Sequence, residues 1–108
     1  MSEHWVTVEV LANVPKGGTR RVHFEGEAVC LYNLEGEICA TQDTCSHALA
    51  SLAEGFVDGE LIECPLHQAA FDIRTGMPMS PPATEPLRVY PTRVVGDEVQ
   101  LLMRARSD

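Results

Sequence analysis

The sequence predicts an all-β protein, a small antiparallel sandwich or barrel. Short runs of alternating apolar and polar residues recur along the chain, and Trp5 to Val10 is an example. Turn residues separate these runs, as at Glu35-Gly36 and Gly96-Asp97. Because successive side chains of a strand point to opposite faces, such runs are typical of half-buried strands. Many short strands joined by tight turns favour a sheet protein over a helical one.

The elements follow in order along the chain. Strands are expected at residues 5–10, 19–25, 28–32, 38–41, 60–63, 70–73, 87–95 and 98–103. The first four form a meander of hairpins, with Val22 and Phe24 on one face, and the last two form a hairpin. Ala48 to Ala53 could form a helical turn. Met77 to Pro86 contains four prolines, and this content predicts a loop because proline cannot donate to a sheet.

Composition limits the possible functions of the chain. One domain, residues 1–108, is the natural count for this length. The formal net charge of −8 argues against nucleic acid, which binds clustered Lys and Arg. No apolar run approaches the roughly 20 residues of a membrane span. Residues 1–5 do not resemble a signal peptide, so we expect a cytoplasmic location. We also expect a monomer that does not contact a membrane.

Two short motifs carry the chemistry, Cys45-Ser46-His47 and Cys64-Pro65-Leu66-His67. Each motif offers one thiolate and one imidazole, and 16 residues lie between His47 and Cys64. Two cysteines and two histidines are the ligands of a Rieske [2Fe–2S] centre. A structural zinc site uses the same residue types but usually keeps like ligands together. The mixed pairing therefore favours two irons over zinc, which stays an alternative.

The remaining cysteines and histidines have simpler interpretations. Cys30 and Cys39 lie in apolar, strand-like stretches, and we expect both to be buried thiols without a metal or redox role. Disulfides are not expected, because the predicted compartment is reducing. His4 and His23 have no ligand partner nearby in sequence, and we expect surface positions for both.

The two motifs, together with Phe71-Asp72, Thr75-Gly76 and the segment from Ser80 to Tyr90, resemble the small Rieske ferredoxins of bacterial aromatic-ring-hydroxylating dioxygenase systems. The resemblance is strongest from Thr41 to Gly76. It implies a [2Fe–2S] cluster held by two loops at one end of the fold. Cys45 and Cys64 would bind the buried iron, and His47 and His67 would bind the outer iron. It also implies that Pro81-Pro82 covers the cluster, and that Leu66 and Pro82 form an uncharged rim.

Some positions differ from the pattern of related proteins. Respiratory Rieske proteins carry a disulfide between the loops, whereas Ala50 and Leu66 stand at the corresponding places here. They also carry a serine that donates to a bridging sulfide, where this chain has Ala69. A missing donor predicts a potential near the low end of the Rieske range, roughly −150 mV. Ala48 and Ala69 also stand where related ferredoxins often have glycine, which would alter local loop shape.

The resemblance implies an electron carrier and not an enzyme. It would pass single electrons from a flavin-containing, NAD(P)H-dependent ferredoxin reductase to a terminal Rieske oxygenase. Three alternatives stay open: a small subunit of another reductase complex, a zinc-binding module, and a thiol enzyme that pairs Cys45 or Cys64 with a histidine base.

Overall fold

The structure is a computed structural model that describes residues 3–45, 50–66, 69–81 and 85–104. Within these ranges the elements are strands and two short 3₁₀ turns, which confirms the all-β prediction. The strands are β1 (Glu3–Val10), β2 (Thr19–Phe24), β3 (Glu27–Leu34), β4 (Glu37–Gln42), β5 (Phe56–Asp58), β6 (Leu61–Glu63), β7 (Ala70–Asp72), β8 (Thr92–Val95) and β9 (Glu98–Arg104). The 3₁₀ turns are Leu11–Asn13 and Leu52–Glu54.

The strands form three antiparallel sheets of three strands each, with the orders β1-β9-β8, β2-β3-β4 and β5-β6-β7. The meander predicted for residues 19–41 is confirmed in the β2-β3-β4 sheet. Glu25 and Gly26 have φ values of 54° and 80°, and Glu35 and Gly36 have 57° and 100°. Two successive residues with positive φ match the twist of a tight hairpin, so these turns set the register of the sheet.

The pairing of the first strand differs from the prediction. β1 does not form a hairpin with β2 but pairs with β9, from Glu3 opposite Arg104 to Val10 opposite Glu98. The strand predicted for residues 87–95 begins only at Thr92, directly after Pro91, which has no N–H for a ladder. Val89 contributes an isolated bridge to Thr41 instead. Local alternation could not show either pairing, because both join distant parts of the chain.

The central strand β3 separates two apolar cores. Cys30, Tyr32 and Leu34 face one core, and Val29 and Leu31 face the other, as the period of two requires. The first core includes Ile62 and Phe71 of the β5-β6-β7 sheet, together with Leu52 of the second 3₁₀ turn and Ile73 directly after β7. The second packs against the β1-β9-β8 sheet through Val99 and Leu101. Because it is buried on both faces, β3 reads as a continuous apolar run.

The β5-β6-β7 sheet is an insertion between β4 and β8, and it positions the predicted site. β4 leads into Cys45, and β6 leads directly into Cys64. Both cysteines join the core that lies between this sheet and β3. In the part of the chain that the structure describes, no helix has the length and apolar character needed to cross a membrane.

Candidate metal centre

The two predicted ligand loops close in the same way. The amide of Cys45 donates to the carbonyl of Ala50 at 2.9 Å, and the amide of Cys64 donates to the carbonyl of Ala69 at 2.7 Å. Each hydrogen bond joins a cysteine to the residue five positions later in the chain. It therefore closes the base of the loop that begins at that cysteine. A loop closed at its base holds its cysteine in a fixed orientation, as a metal ligand requires.

The two cysteine side chains meet inside the protein. Cys45 is 4% exposed and Cys64 is 1% exposed. Burial raises the pKa of the Cys64 thiol to about 11, the backbone N–H of Leu66 lowers it, and a hydrogen bond with the Cys45 thiol raises it further. Paired thiolates in this position would repel one another, and a bound cation removes that repulsion. The donor set therefore fits iron held by two cysteines.

The predicted histidine ligands, His47 and His67, lie outside the described residues. Their roles therefore stay predictions. Among the described residues, no group of three or more histidine, cysteine, aspartate or glutamate side chains could hold a metal elsewhere. Of the four predicted ligands, Cys45 and Cys64 are therefore the two that the described residues include.

Asp43 braces the first loop, and sequence reasoning did not identify it. Its carboxylate is 2% exposed and accepts hydrogen bonds from the Ser51 hydroxyl at 2.7 Å and the Ala53 amide at 2.9 Å. Its carbonyl accepts the Leu52 amide at 2.7 Å. These bonds join the residue two positions before Cys45 to the 3₁₀ turn that follows the loop. The sequence signal that could have identified Asp43 is its carboxylate, which lies two positions before the first cysteine of a ligand motif.

Gly55 has the corresponding place beside the second loop. A Cβ at this position would lie 2.2 Å from the carbonyl oxygen of Glu63, which belongs to the peptide unit before Cys64. The φ of Gly55 is −86°, so backbone freedom is not the reason for glycine here. Glycine is required because the Glu63 carbonyl packs directly against its Cα. Of the helical turn predicted at Ala48 to Ala53, residues 48 and 49 lie outside the described residues, and the structure places a 3₁₀ turn at Leu52–Glu54.

The proline-rich segment runs beside the second loop. The Met79 amide donates to the Ala70 carbonyl at 2.8 Å, and the Ser80 hydroxyl accepts the Ala70 amide at 3.1 Å. Between Met77 and Pro86, the described residues form no strand, which confirms the predicted loop there. Pro82 lies outside the described residues, so its predicted covering role stays a prediction.

The other cysteines differ in burial. Cys30 is fully buried, as expected, and burial raises the pKa of its thiol to about 12. Cys39 is only partly buried against the same core, so its assignment as a core thiol was too simple. None of the four cysteines forms a disulfide. His4 and His23 are exposed on β1 and β2, as predicted.

Apolar side chains are exposed beside the ligand loops. Leu66 lies two residues after Cys64 and is 47% exposed, and Met79 is 55% exposed next to Ala70. Phe56 is 66% exposed opposite Glu63, the residue before Cys64. We call Phe56, Leu66 and Met79 the apolar rim. A large cavity of about 570 Å³ borders Glu60 and Arg74 and touches neither cysteine. The surroundings of the cysteine pair thus resemble a contact surface more than a substrate pocket.

Comparison with known proteins agrees with this geometry. The profile of the Rieske [2Fe–2S] domain matches residues 4–91. The chain is 40% identical over 101 residues to the ferredoxin component of the naphthalene 1,2-dioxygenase system of Pseudomonas aeruginosa, covering 94% of this chain and 97% of that protein. It is 46% identical over 87 residues to the biphenyl dioxygenase ferredoxin subunit of Pseudomonas sp. strain KKS102, covering 80% of each.

Solved structures share the fold. A chain in the complex of reduced oxygenase and oxidized ferredoxin of carbazole 1,9a-dioxygenase has a TM-score of 0.86 and 39% identity, covering 96% of this chain and 97% of that one. A Mycobacterium tuberculosis protein described as an NADH-dependent nitrite reductase small subunit has a TM-score of 0.84 and covers 98% of this chain and all of that one. Its identity is 22%, so this likeness shows the fold alone.

Three small sheets and a buried cysteine pair on two matched loops define an iron–sulfur electron-transfer protein. The chain belongs to the Rieske [2Fe–2S] family. Its cofactor is a Rieske-type [2Fe–2S] cluster, as predicted. Its relatives are electron-transfer components, so the prediction that it is a carrier and not a catalytic enzyme is confirmed.

Proposed function

We propose that this protein carries single electrons from an NAD(P)H-dependent flavin reductase to the terminal Rieske oxygenase of an aromatic-ring dioxygenase system. The observation that carries the proposal is the buried pair Cys45 and Cys64, which share one core and lie on two loops closed in the same way. The similarity of the chain to ferredoxin components of two dioxygenase systems supports the same role. A hydride supplies two electrons, so the chain would be reduced and reoxidised twice in each oxygenase cycle.

We propose four cluster ligands, Cys45 and Cys64 on the inner iron and His47 and His67 on the outer iron. When bound, the cluster supplies a reversible one-electron couple, and the protein sets its potential and its access to partners. The residues described here hold the thiols out of water and fix the direction of each loop. We also propose that residues 1–108 act as one cytoplasmic domain and as a monomer.

The apolar rim is the proposed contact with redox partners. Phe56, Leu66 and Met79 are exposed apolar side chains, and Glu63 lies between Phe56 and Ala70 in the strand register. Weak and brief redox encounters use small contacts of this kind. The net charge of −8 would also steer the chain toward a partner with a basic surface.

Stopped-flow mixing tests this function. The chain is reduced with dithionite and freed of excess reductant. It is then mixed with the oxidised terminal oxygenase of the Pseudomonas aeruginosa naphthalene 1,2-dioxygenase system, whose ferredoxin component is 40% identical to this chain. Reoxidation should be fast, should saturate with oxygenase concentration and should slow at high salt. Reoxidation no faster than with serum albumin would contradict the proposal for this oxygenase class.

A small subunit of another reductase complex is the alternative function, and the fold alone does not distinguish it from a free carrier. Such a subunit would work within a permanent assembly, whereas a carrier must leave one partner to reach the next. Size-exclusion chromatography of the tagged chain from its native cells separates the two. A stable complex with a reductase subunit would favour this candidate.

A further inference from the structure

The peptide unit before Cys45 is held at both of its ends. Its N–H belongs to Cys45 and donates to the Ala50 carbonyl at 2.9 Å. Its C=O belongs to Thr44 and accepts the side-chain amide of Gln42 at 2.8 Å. Because a peptide unit is planar, fixing both groups fixes the plane from which the Cys45 Cα extends. The direction of the Cys45 side chain therefore depends on Gln42.

Gln42 is itself fixed by the chain that follows the proline-rich segment. Its side-chain oxygen accepts the Arg88 amide at 2.7 Å, and its backbone amide donates to the Arg88 carbonyl at 2.9 Å. The Arg88 guanidinium pairs with Glu27 and lies 3.2 Å from the Tyr90 hydroxyl. Gln42 thus uses both ends of its carboxamide, one toward the first loop and one toward residue 88.

We propose that Gln42 is a positioning residue for the cluster ligand Cys45. It orients the peptide plane before the cysteine and couples the first ligand loop to the segment that leaves the proline-rich stretch. The inference rests on the proposed role of Cys45 as a ligand. A shorter or apolar side chain would leave the Thr44 carbonyl without this donor, and the Cys45 side chain would sample more than one direction.

Gln42→Met tests the inference because methionine keeps the length of the side chain and removes both hydrogen bonds. We expect altered g values in the EPR spectrum of the reduced cluster and a shifted reduction potential. We also expect bleaching under a chelator about fivefold faster than in the unmodified chain, the effect of one lost hydrogen bond. Gln42→Glu, which keeps the acceptor for the Arg88 amide but loses the donor to Thr44, should change the same readouts and serves if Gln42→Met does not fold.

Gln100→Met is the matched control. Gln100 also uses both ends of its carboxamide, with Arg93 at 2.7 Å and Thr7 at 3.1 Å, but it lies on β9 in another sheet. The control should keep the g values, potential and bleaching rate of the unmodified chain. Cluster properties unchanged in both Gln42 variants would overturn the inference. Cys45→Ser separates this from failure of the site: a normal cluster in that variant would refute the ligand assignment itself.

Discussion

The thiols of Cys45 and Cys64 lie within hydrogen-bonding reach of each other, although 19 positions separate them in the sequence. The β5-β6-β7 sheet brings them together, because β6 ends at the residue before Cys64 and packs on the core that contains Cys45. Each cysteine amide closes its own loop, and each preceding peptide unit is held by a residue outside the loop. Gln42 holds the first of these units, and Gly55 packs against the second.

Gly55→Ala should damage the second ligand loop. The added Cβ would lie 2.2 Å from the Glu63 carbonyl, so the backbone before Cys64 must shift. We expect a loss of about 1–3 kcal/mol in the free energy of unfolding, together with a changed EPR spectrum. Gly96→Ala is the control, since its Cβ meets no atom within 4 Å and its cost comes only from a φ of 62°. A cluster spectrum equally altered in both variants would argue against a specific role for Gly55.

Ala69→Ser should raise the reduction potential. Ala69 is fully buried at the base of the second loop, where a hydroxyl could donate to the reduced cluster. One hydrogen bond to a charged group contributes roughly 1.5–3 kcal/mol, and about 59 mV corresponds to a tenfold change for one electron, so the rise should be of order 100 mV. Ala40→Ser, buried in the other core, should leave the potential unchanged. Redox titration that gives equal potentials for Ala69→Ser and the unmodified chain would refute the expectation.

Leu66→Glu should slow electron transfer to the oxygenase. Leu66 is 47% exposed in the apolar rim, and a carboxylate there would remain hydrated and oppose a close contact. We expect at least a tenfold lower second-order rate in the stopped-flow assay, with an unchanged visible spectrum. Val95→Glu provides the same substitution on β8, where Val95 is 50% exposed. A rate lowered equally by both variants would indicate a general effect of charge.

Glu9→Gln should lower stability in a way that depends on pH. Hydrogen bonds from the Asn13 side chain, the Val10 amide and Arg20 lower the pKa of Glu9 from 4.5 to about 2. The unfolded chain therefore binds more protons than the folded chain between these pH values. The stabilisation is complete above pH 4.5 and is lost as pH falls through about 2.

Urea unfolding of both chains at several pH values measures this contribution. We expect a difference of about 1–2 kcal/mol at pH 7, reduced by solvent screening at the exposed Arg20, and a smaller difference at pH 3. Glu98→Gln on β9 is the matched control. It makes the same substitution at another carboxylate, which accepts a hydrogen bond from the Thr7 hydroxyl. A difference independent of pH would contradict the lowered pKa.

The sequence predicted local features well. Alternation and turn residues located most strands, and the positive φ values at Glu25-Gly26 and Glu35-Gly36 match the predicted hairpin turns. The pairing of β1 with β9 was missed because it joins the two ends of the described chain. The start of β8 was placed too early because Val89 and Tyr90 look like strand residues, although Val89 makes only a single bridge.

The sequence indicated candidate ligands for the site but not the residues that support them. Residue types and spacing indicated Cys45 and Cys64, and their burial together agrees with that. The roles of Asp43, Gln42 and Gly55 depend on contacts with the 3₁₀ turn, Arg88 and Glu63, which no local pattern shows. Cys39 was assigned to the core because its neighbours are apolar, yet it is only partly buried against that core, whereas Ile38 beside it is buried.

The most direct test is the EPR spectrum of the dithionite-reduced protein, recorded for the unmodified chain and for His67→Ala. The unmodified chain should be red-brown, contain two irons and show the low average g value of a cluster with histidine ligands. His67→Ala should lose that signal, whereas His23→Ala, an exposed histidine on β2, should keep it. A colourless, zinc-containing chain, or a full Rieske signal in His67→Ala, would contradict the proposed centre.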